Sequence, residues 1–179
     1  MGNTDIAFEQ LYESTKKELL VYIASHCNSV DDIEDLYQET YISVFDSMQK
    51  MSEPINNAEA FVKTVAKRII SRHYSAANKL RAKLSISLDS FRESGVTEDI
   101  ADETDIEESV CTDELYDEVY DIIKTMPIVV QRLIYMRYKL QLSIAEIAAT
   151  TEMSETAVCQ RINKALAAVR RTYTRRKRQ

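Results

Sequence analysis

Glycine and proline are nearly missing from this 179-residue chain, which has two of each: Gly2, Gly95, Pro54 and Pro127. Sheet-rich folds need such residues at turn after turn, and average usage is several times higher. An all-α fold is therefore expected. Long apolar runs are missing as well: those present are short and broken by charge, well below the ~20 residues that span a bilayer. The N-terminus also lacks the basic-then-apolar pattern of an export signal. These absences point to a cytoplasmic protein with no membrane insertion. Cysteines are few and scattered, at Cys27, Cys111 and Cys159, with no Cys-x-x-Cys or Cys/His cluster. That suits a reducing compartment and offers no metal site, and buried packing is the expected role of at least Cys27. The two histidines, His26 and His73, fall on different expected helices, and no nucleophile stands at paired spacing from a base. An enzyme is not expected, and neither is a cofactor.

What is present is charge, unevenly placed. The formal net charge of -6 conceals two opposed blocks. Between Asp89 and Asp121 every charged residue except Arg92 is acidic, whereas Arg161, Lys164, Arg170, Arg171, Arg175, Arg176, Lys177 and Arg178 form an entirely basic C-terminal run. Such asymmetry separates a solvated acidic connector from a basic surface suited to phosphates.

Apolar spacing predicts the helices. Phe8, Leu11, Tyr12, Leu19, Tyr22 and Ile23 form one stripe, and Ile33, Leu36, Tyr37, Thr40, Tyr41, Val44, Phe45 and Met48 a second, with Ser29 and Asp32 as a cap. The pattern breaks at Pro54, after which Asn56 and Glu59 are expected to cap a third helix through Phe61, Val65, Ala66, Ile69 and Ile70. Residues 1–84 thus form a first small domain. Residues 85–112 are rich in Asp, Glu, Ser and Thr and read as an acidic flexible linker. A second domain, 113–179, starts with Leu115, Val119, Ile122 and Ile123. Pro127 then suits the first turn of a helix carrying Val130, Leu133, Ile134 and Tyr138. Ser143 and Glu146 have capping-box spacing, and Ser154 can cap a last helix with Val158, Ile162, Leu166 and Val169 on one face. The short turn between these two segments suggests a helix-turn-helix.

Three surfaces carry chemistry. Near the start of the last helix stand Ser154, Thr156, Gln160, Arg161 and Lys164. In a helix-turn-helix such positions reach base edges and phosphates, Gln suiting adenine and Arg guanine, while Arg170 and Arg171 are placed to hold phosphates. The plainer reading is a helical hairpin with solvated charges. The third helix carries Lys63, Lys67, Arg68, Arg72, His73 and Tyr74, a mixture of cations and rings that suits single-stranded DNA, with a solvated helix face as the alternative. The second helix sets Asp32, Asp35, Gln38 and Glu39 opposite its apolar stripe. Favourable interaction with the helix dipole accounts for Asp32 and Asp35. Gln38 and Glu39 lie too far in for that, and suit docking of a basic protein surface.

The run Asp32-Ile33-Glu34-Asp35-Leu36-Tyr37-Gln38-Glu39-Thr40-Tyr41 resembles the Asp-Ala-Glu-Asp-Leu-Val-Gln-Glu-Thr-Phe signature of extracytoplasmic-function (group IV) sigma factors of bacterial RNA polymerase. The stretch from Ala60 to Arg68 is similar to the family helix that recognises and melts the minus-ten promoter element. Leu142 to Ala148, with Val158-Cys159-Gln160-Arg161, is similar to the minus-thirty-five reader. The resemblance implies that Asp32, Asp35, Gln38 and Glu39 bind the clamp helices of the polymerase largest subunit. It further implies that the third helix binds minus-ten DNA, that the segment from Gln49 to Asn57 captures an extruded base, and that the linker threads the basic polymerase channels. An anti-sigma factor is a further possible partner. The sequence departs from the family at Arg68 and Arg72, where Asn and Asp are common, at Cys159 in place of a frequent Lys, and at Glu152, where the turn often has Gly. Glu152 suits the turn only if positive φ is avoided. Apart from the resemblance, two other readings stand: a polymerase-independent helix-turn-helix regulator and a helical adaptor without DNA binding.

Overall fold

The computed structural model describes residues 3–51, 55–83 and 113–176, with side chains described for 6–51, 55–75 and 115–176. Among these the secondary structure is entirely helical, in two groups. The first holds α1 (Asn3–His26), a 3₁₀ turn (Val30–Asp32), α2 (Ile33–Lys50) and α3 (Ala58–Lys83). The second holds α4 (Asp113–Lys124), α5 (Ile128–Ile134), a π-helical turn (Tyr135–Lys139), α6 (Ile144–Thr151) and α7 (Glu155–Arg176). The expected linker, 85–112, lies outside the described residues, as do positions 52–54 of the α2–α3 connection.

The expected stripes form the core of the first group, where α1, α2 and α3 pack on one another. Leu19, Ile23, Ile33, Leu36, Val44, Val62 and Ala66 are all buried. Two polar side chains are enclosed with them: Thr40 donates to the Leu36 carbonyl, while the hydroxyls of Thr15 and Tyr41 lie 2.8 Å apart. In the second group α4, α5 and α6 pack against α7 around Leu133, Met136, Ile147, Val158 and Ile162. The groups also touch. α1 meets α6 and the π turn, α5 meets the 3₁₀ turn, and buried side chains from both groups form one continuous cluster.

Several local expectations shift. Asn57, not Asn56, caps α3, its Oδ1 accepting from the Ala60 amide. Ser29 caps the 3₁₀ turn by accepting from Asp31 N–H, and Asp32 starts α2 without a side-chain capping bond. Pro127 is the residue before α5 rather than its first helical position, and its carbonyl accepts from the amides of Val130 and Gln131. Past Ile134 the winding widens, with Leu140 N–H bonding to Tyr135 O. A π turn puts more residues in each turn, so Tyr138 leaves the expected stripe and is exposed, while Met136 is buried.

The helix-turn-helix is built as its caps suggest. Ser143 Oγ accepts from Glu146 N–H, and Glu146 Oε2 accepts from Ser143 N–H at 2.8 Å. The Ser143 backbone and hydroxyl donors hold the Glu146 carboxyl below the usual range. Replacing Ser143 by Ala is expected to cost about 1 kcal/mol in urea unfolding, a typical value for a lost cap. Glu152 has φ 55° and ψ 30°, so the positive φ is adopted after all. A side chain there costs roughly 1–2 kcal/mol of left-handed strain, partly offset because glycine frees the unfolded chain. Glu152→Gly is thus expected to raise stability by roughly 0.5 kcal/mol in the same measurement, without altering α6 or α7.

Candidate functional site

The α2 face is in part free and in part tied to α3. Asp35 and Gln38 are exposed, whereas Asp32 and Glu39 are intermediate. Glu39 pairs with Arg72 across the α2–α3 packing. Asp32 Oδ2 accepts from the Tyr74 hydroxyl at 2.9 Å and lies 3.5 Å from His73 Nε2. That hydroxyl also accepts from Asn28 N–H at 2.7 Å. Burial, aided by the Asp32 carboxylate and opposed by the Asn28 amide, pushes the Tyr74 hydroxyl up to about 12. The Tyr74 ring packs against the core cluster, so this residue fastens α3 to the start of α2.

Among the described side chains of α3 the exposed cations are Lys67, Arg68 and Arg72. Lys63 is half-buried and pairs with Glu59 one turn earlier, and His73 is half-buried with its ring edge-on to Tyr74. Arg68 and Arg72 fall one turn apart on the helix, with Lys67 next to Arg68 in sequence, and together they make a patch of positive charge suited to a phosphate backbone. The structure therefore brings Arg72, His73 and Tyr74 together with the acidic α2 residues. Lys67 and Arg68 have no such contact with α2.

The second basic surface is α7. Ser154 caps it, its Oγ accepting from Ala157 N–H at 3.2 Å. Thr156, Gln160, Arg161, Lys164, Arg170 and Arg171 are all exposed, while Val158, Ile162, Ala165 and Val169 face the core. Arg161 Nη1 lies 3.4 Å from the sulfur of Met153 in the turn, which steadies the guanidinium at the helix start. Arg170 lies ten residues beyond Gln160, about 15 Å along the axis. A major groove is roughly 12 Å wide, so the spacing between Gln160 and the Arg170/Arg171 pair exceeds the width of one groove.

Some candidate positions carried no sequence signal. Asn163 is exposed on α7 beside Gln160, its Nδ2 3.5 Å from Cys159 Sγ; an amide at that point of a recognition helix is a base-reading candidate. Asp31 is exposed next to the α2 face and bonds to α4. Cys27 is fully buried, and burial raises its thiol above the ordinary value, whereas Cys159 is exposed. Among the described residues no group of His, Cys, Asp and Glu could hold a metal ion, and no helix is long and apolar enough to cross a membrane.

Comparison with known proteins divides the chain in the same way. Residues 11–80 match Sigma-70 region 2, and residues 116–169 match Sigma-70, region 4. No curated protein matches. Solved structures that match include one titled "1.8 A structure of RsbN-BldN complex", 16% identical, covering 92% of this chain and 90% of that one with a TM-score of 0.33, a likeness too loose to rest an argument on.

Proposed function

The chain belongs to the sigma-70 family of RNA polymerase sigma factors, with region 2 in its first half and region 4 in its second, and on that premise we propose how its surfaces divide the work. The α2 face of Asp32, Asp35, Gln38 and Glu39 docks on the clamp helices of the polymerase largest subunit. The α3 patch, with Lys63, Lys67, Arg68, Arg72 and His73, holds minus-ten DNA. The exposed face of α7 reads the minus-thirty-five element, with Thr156, Gln160 and Arg161 near bases and Lys164, Arg170 and Arg171 on phosphates. Domains spanning 1–84 and 113–179, joined by the acidic 85–112 linker, suit this division. Only residues 81–115 separate the two matched regions, a short connection that supports placement in the extracytoplasmic-function group. The activity is binding rather than covalent chemistry, exercised in the cytoplasm. An anti-sigma partner would cover the α2 and α7 faces and so compete with polymerase.

The observation that carries this reading is the segregation of charge: acidic side chains exposed on α2, basic ones on α7, each opposite a buried apolar stripe. Gel filtration with core RNA polymerase tests it. The intact chain should co-elute stoichiometrically. The Asp35→Ala, Glu39→Ala double variant should bind about tenfold to thirtyfold more weakly, as expected when two partly desolvated charges are removed from an interface. Equal affinity of the variant would overturn the assignment of α2. No co-elution of the intact chain would favour a polymerase-independent regulator.

A further inference from the structure

The turn between α6 and α7 sets a thioether against a guanidinium assigned to base reading. Met153 follows Glu152, whose left-handed backbone ends α6, and its amide donates to the Ala148 carbonyl at 3.2 Å. That bond fixes where the Met153 side chain leaves the turn. The side chain is half-buried and packs against the core cluster. Arg161, eight residues on, is exposed, and its side chain reaches back so that Nη1 lies 3.4 Å from Met153 Sδ. A thioether is only a weak acceptor, so this contact positions the guanidinium without holding it from a guanine or a phosphate.

We propose that Met153 is an oxidation site through which hydroperoxides weaken promoter reading, its sulfoxide capturing the Arg161 guanidinium. The proposal rests on the sigma-factor reading of α7. In the step, a lone pair of Sδ attacks the outer oxygen of the peroxide, an S–O bond forms and the O–O bond breaks. The departing oxygen takes the proton of the transferred one, so hydrogen peroxide leaves as water. Sulfur gives up two electrons and the peroxide accepts them. The product is one that methionine sulfoxide reductases reverse. A sulfoxide is polar where the thioether was apolar, and a guanidinium donating to its oxygen makes a charge-assisted bond, one of the stronger kinds. Nη1 already stands at the sulfur, so Arg161 needs little rearrangement to make it. Turning the new oxygen inward would bury it among apolar side chains without a partner, which is costly. Outward, toward Arg161, is the favoured direction, and a guanidinium held there is withdrawn from DNA.

To test this, the full-length wild type and Met153→Leu are each treated with hydrogen peroxide and then with dithiothreitol, before assembly with untreated core polymerase. Dithiothreitol returns oxidised cysteine, such as the exposed Cys159, to the thiol and leaves sulfoxide in place. Peptide mass spectrometry reads each methionine, with the exposed Met51 marking the dose. Fluorescence anisotropy reads the affinity of the holoenzyme for a promoter selected with the untreated wild type. Treated wild type should carry one added oxygen on Met153 and bind about threefold to tenfold more weakly than untreated, the effect of diverting one favourable hydrogen bond. Methionine sulfoxide reductase should restore the affinity. Met153→Leu should bind equally before and after peroxide, whatever its starting affinity. No oxygen on Met153 once Met51 is fully converted would overturn the proposal. So would unchanged affinity with Met153 oxidised, or an equal loss in Met153→Leu. Failure to select any promoter with the untreated holoenzyme would instead overturn the sigma-factor reading, and the consequence drawn for Arg161 with it.

Discussion

Reversal of Arg161 and Lys164 to Glu is expected to abolish transcription that depends on the minus-thirty-five element while leaving core polymerase binding intact. Both side chains are exposed on the first turns of α7, more than a hundred residues from the α2 docking face in sequence. A base-reading side chain such as Arg161 is worth about 1–3 kcal/mol, which alone predicts a fall of roughly fivefold to 150-fold, and loss of the Lys164 phosphate contact lowers affinity further. Reversal adds repulsion from the DNA backbone, which carries one negative charge per ~1.7 Å. Run-off transcription from a promoter selected with the wild-type holoenzyme measures the effect. The dependence of promoter affinity on salt should also become shallower, by about one unit of log-log slope for each phosphate that is no longer neutralised. Full activity of the double variant would mean that α7 does not read the upstream duplex.

Local features were the most legible in the sequence. The capping box at Ser143 and Glu146 and the cap at Ser154 were readable because donor and acceptor lie within three residues of each other. Asn56 and Asn57 are adjacent and chemically identical in their capping potential, so the choice of Asn57 rests on where the chain turns. The apolar stripes of α1, α2 and α3 followed from period, as did the face of α7. The π turn did not, because its bond from Leu140 to Tyr135 is decided by packing, and it moved Tyr138 out of the stripe. The strain at Glu152 was visible only as a question about φ.

Site residues divide along the same line. Composition can group cations and rings on α3, yet it does not say which way a ring points. Tyr74 belongs to that group by position, but its ring lies against the core and its hydroxyl bonds to Asp32. Likewise the pairing of Glu39 with Arg72 joins two surfaces that the sequence presents as separate, 33 positions apart. Asp31 with Tyr120, and Arg132 with Cys27, are 89 and 105 positions apart. No periodicity announces pairings of that range, which depend on how finished helices pack.

Leu36 is where the fold and the docking face meet most directly, and Leu36→Ala is expected to destabilise the protein by about 3 kcal/mol, within the range for emptying a buried leucine site. The side chain is 1% exposed, on the helix that displays Asp35, Gln38 and Glu39 on its other side. Domains of this size are held by only about 5–15 kcal/mol, so this is a large share, and urea unfolding followed by circular dichroism will register it as a lower midpoint. The buried cluster runs without a break from Leu11 to Ile162. Truncation of Leu36 should therefore reach α7 as well, lowering amide protection there in hydrogen exchange even though α7 makes no part of the region 2 bundle. A drop in protection confined to α1, α2 and α3 would mean that the two regions unfold independently and that the shared cluster contributes little to holding them together.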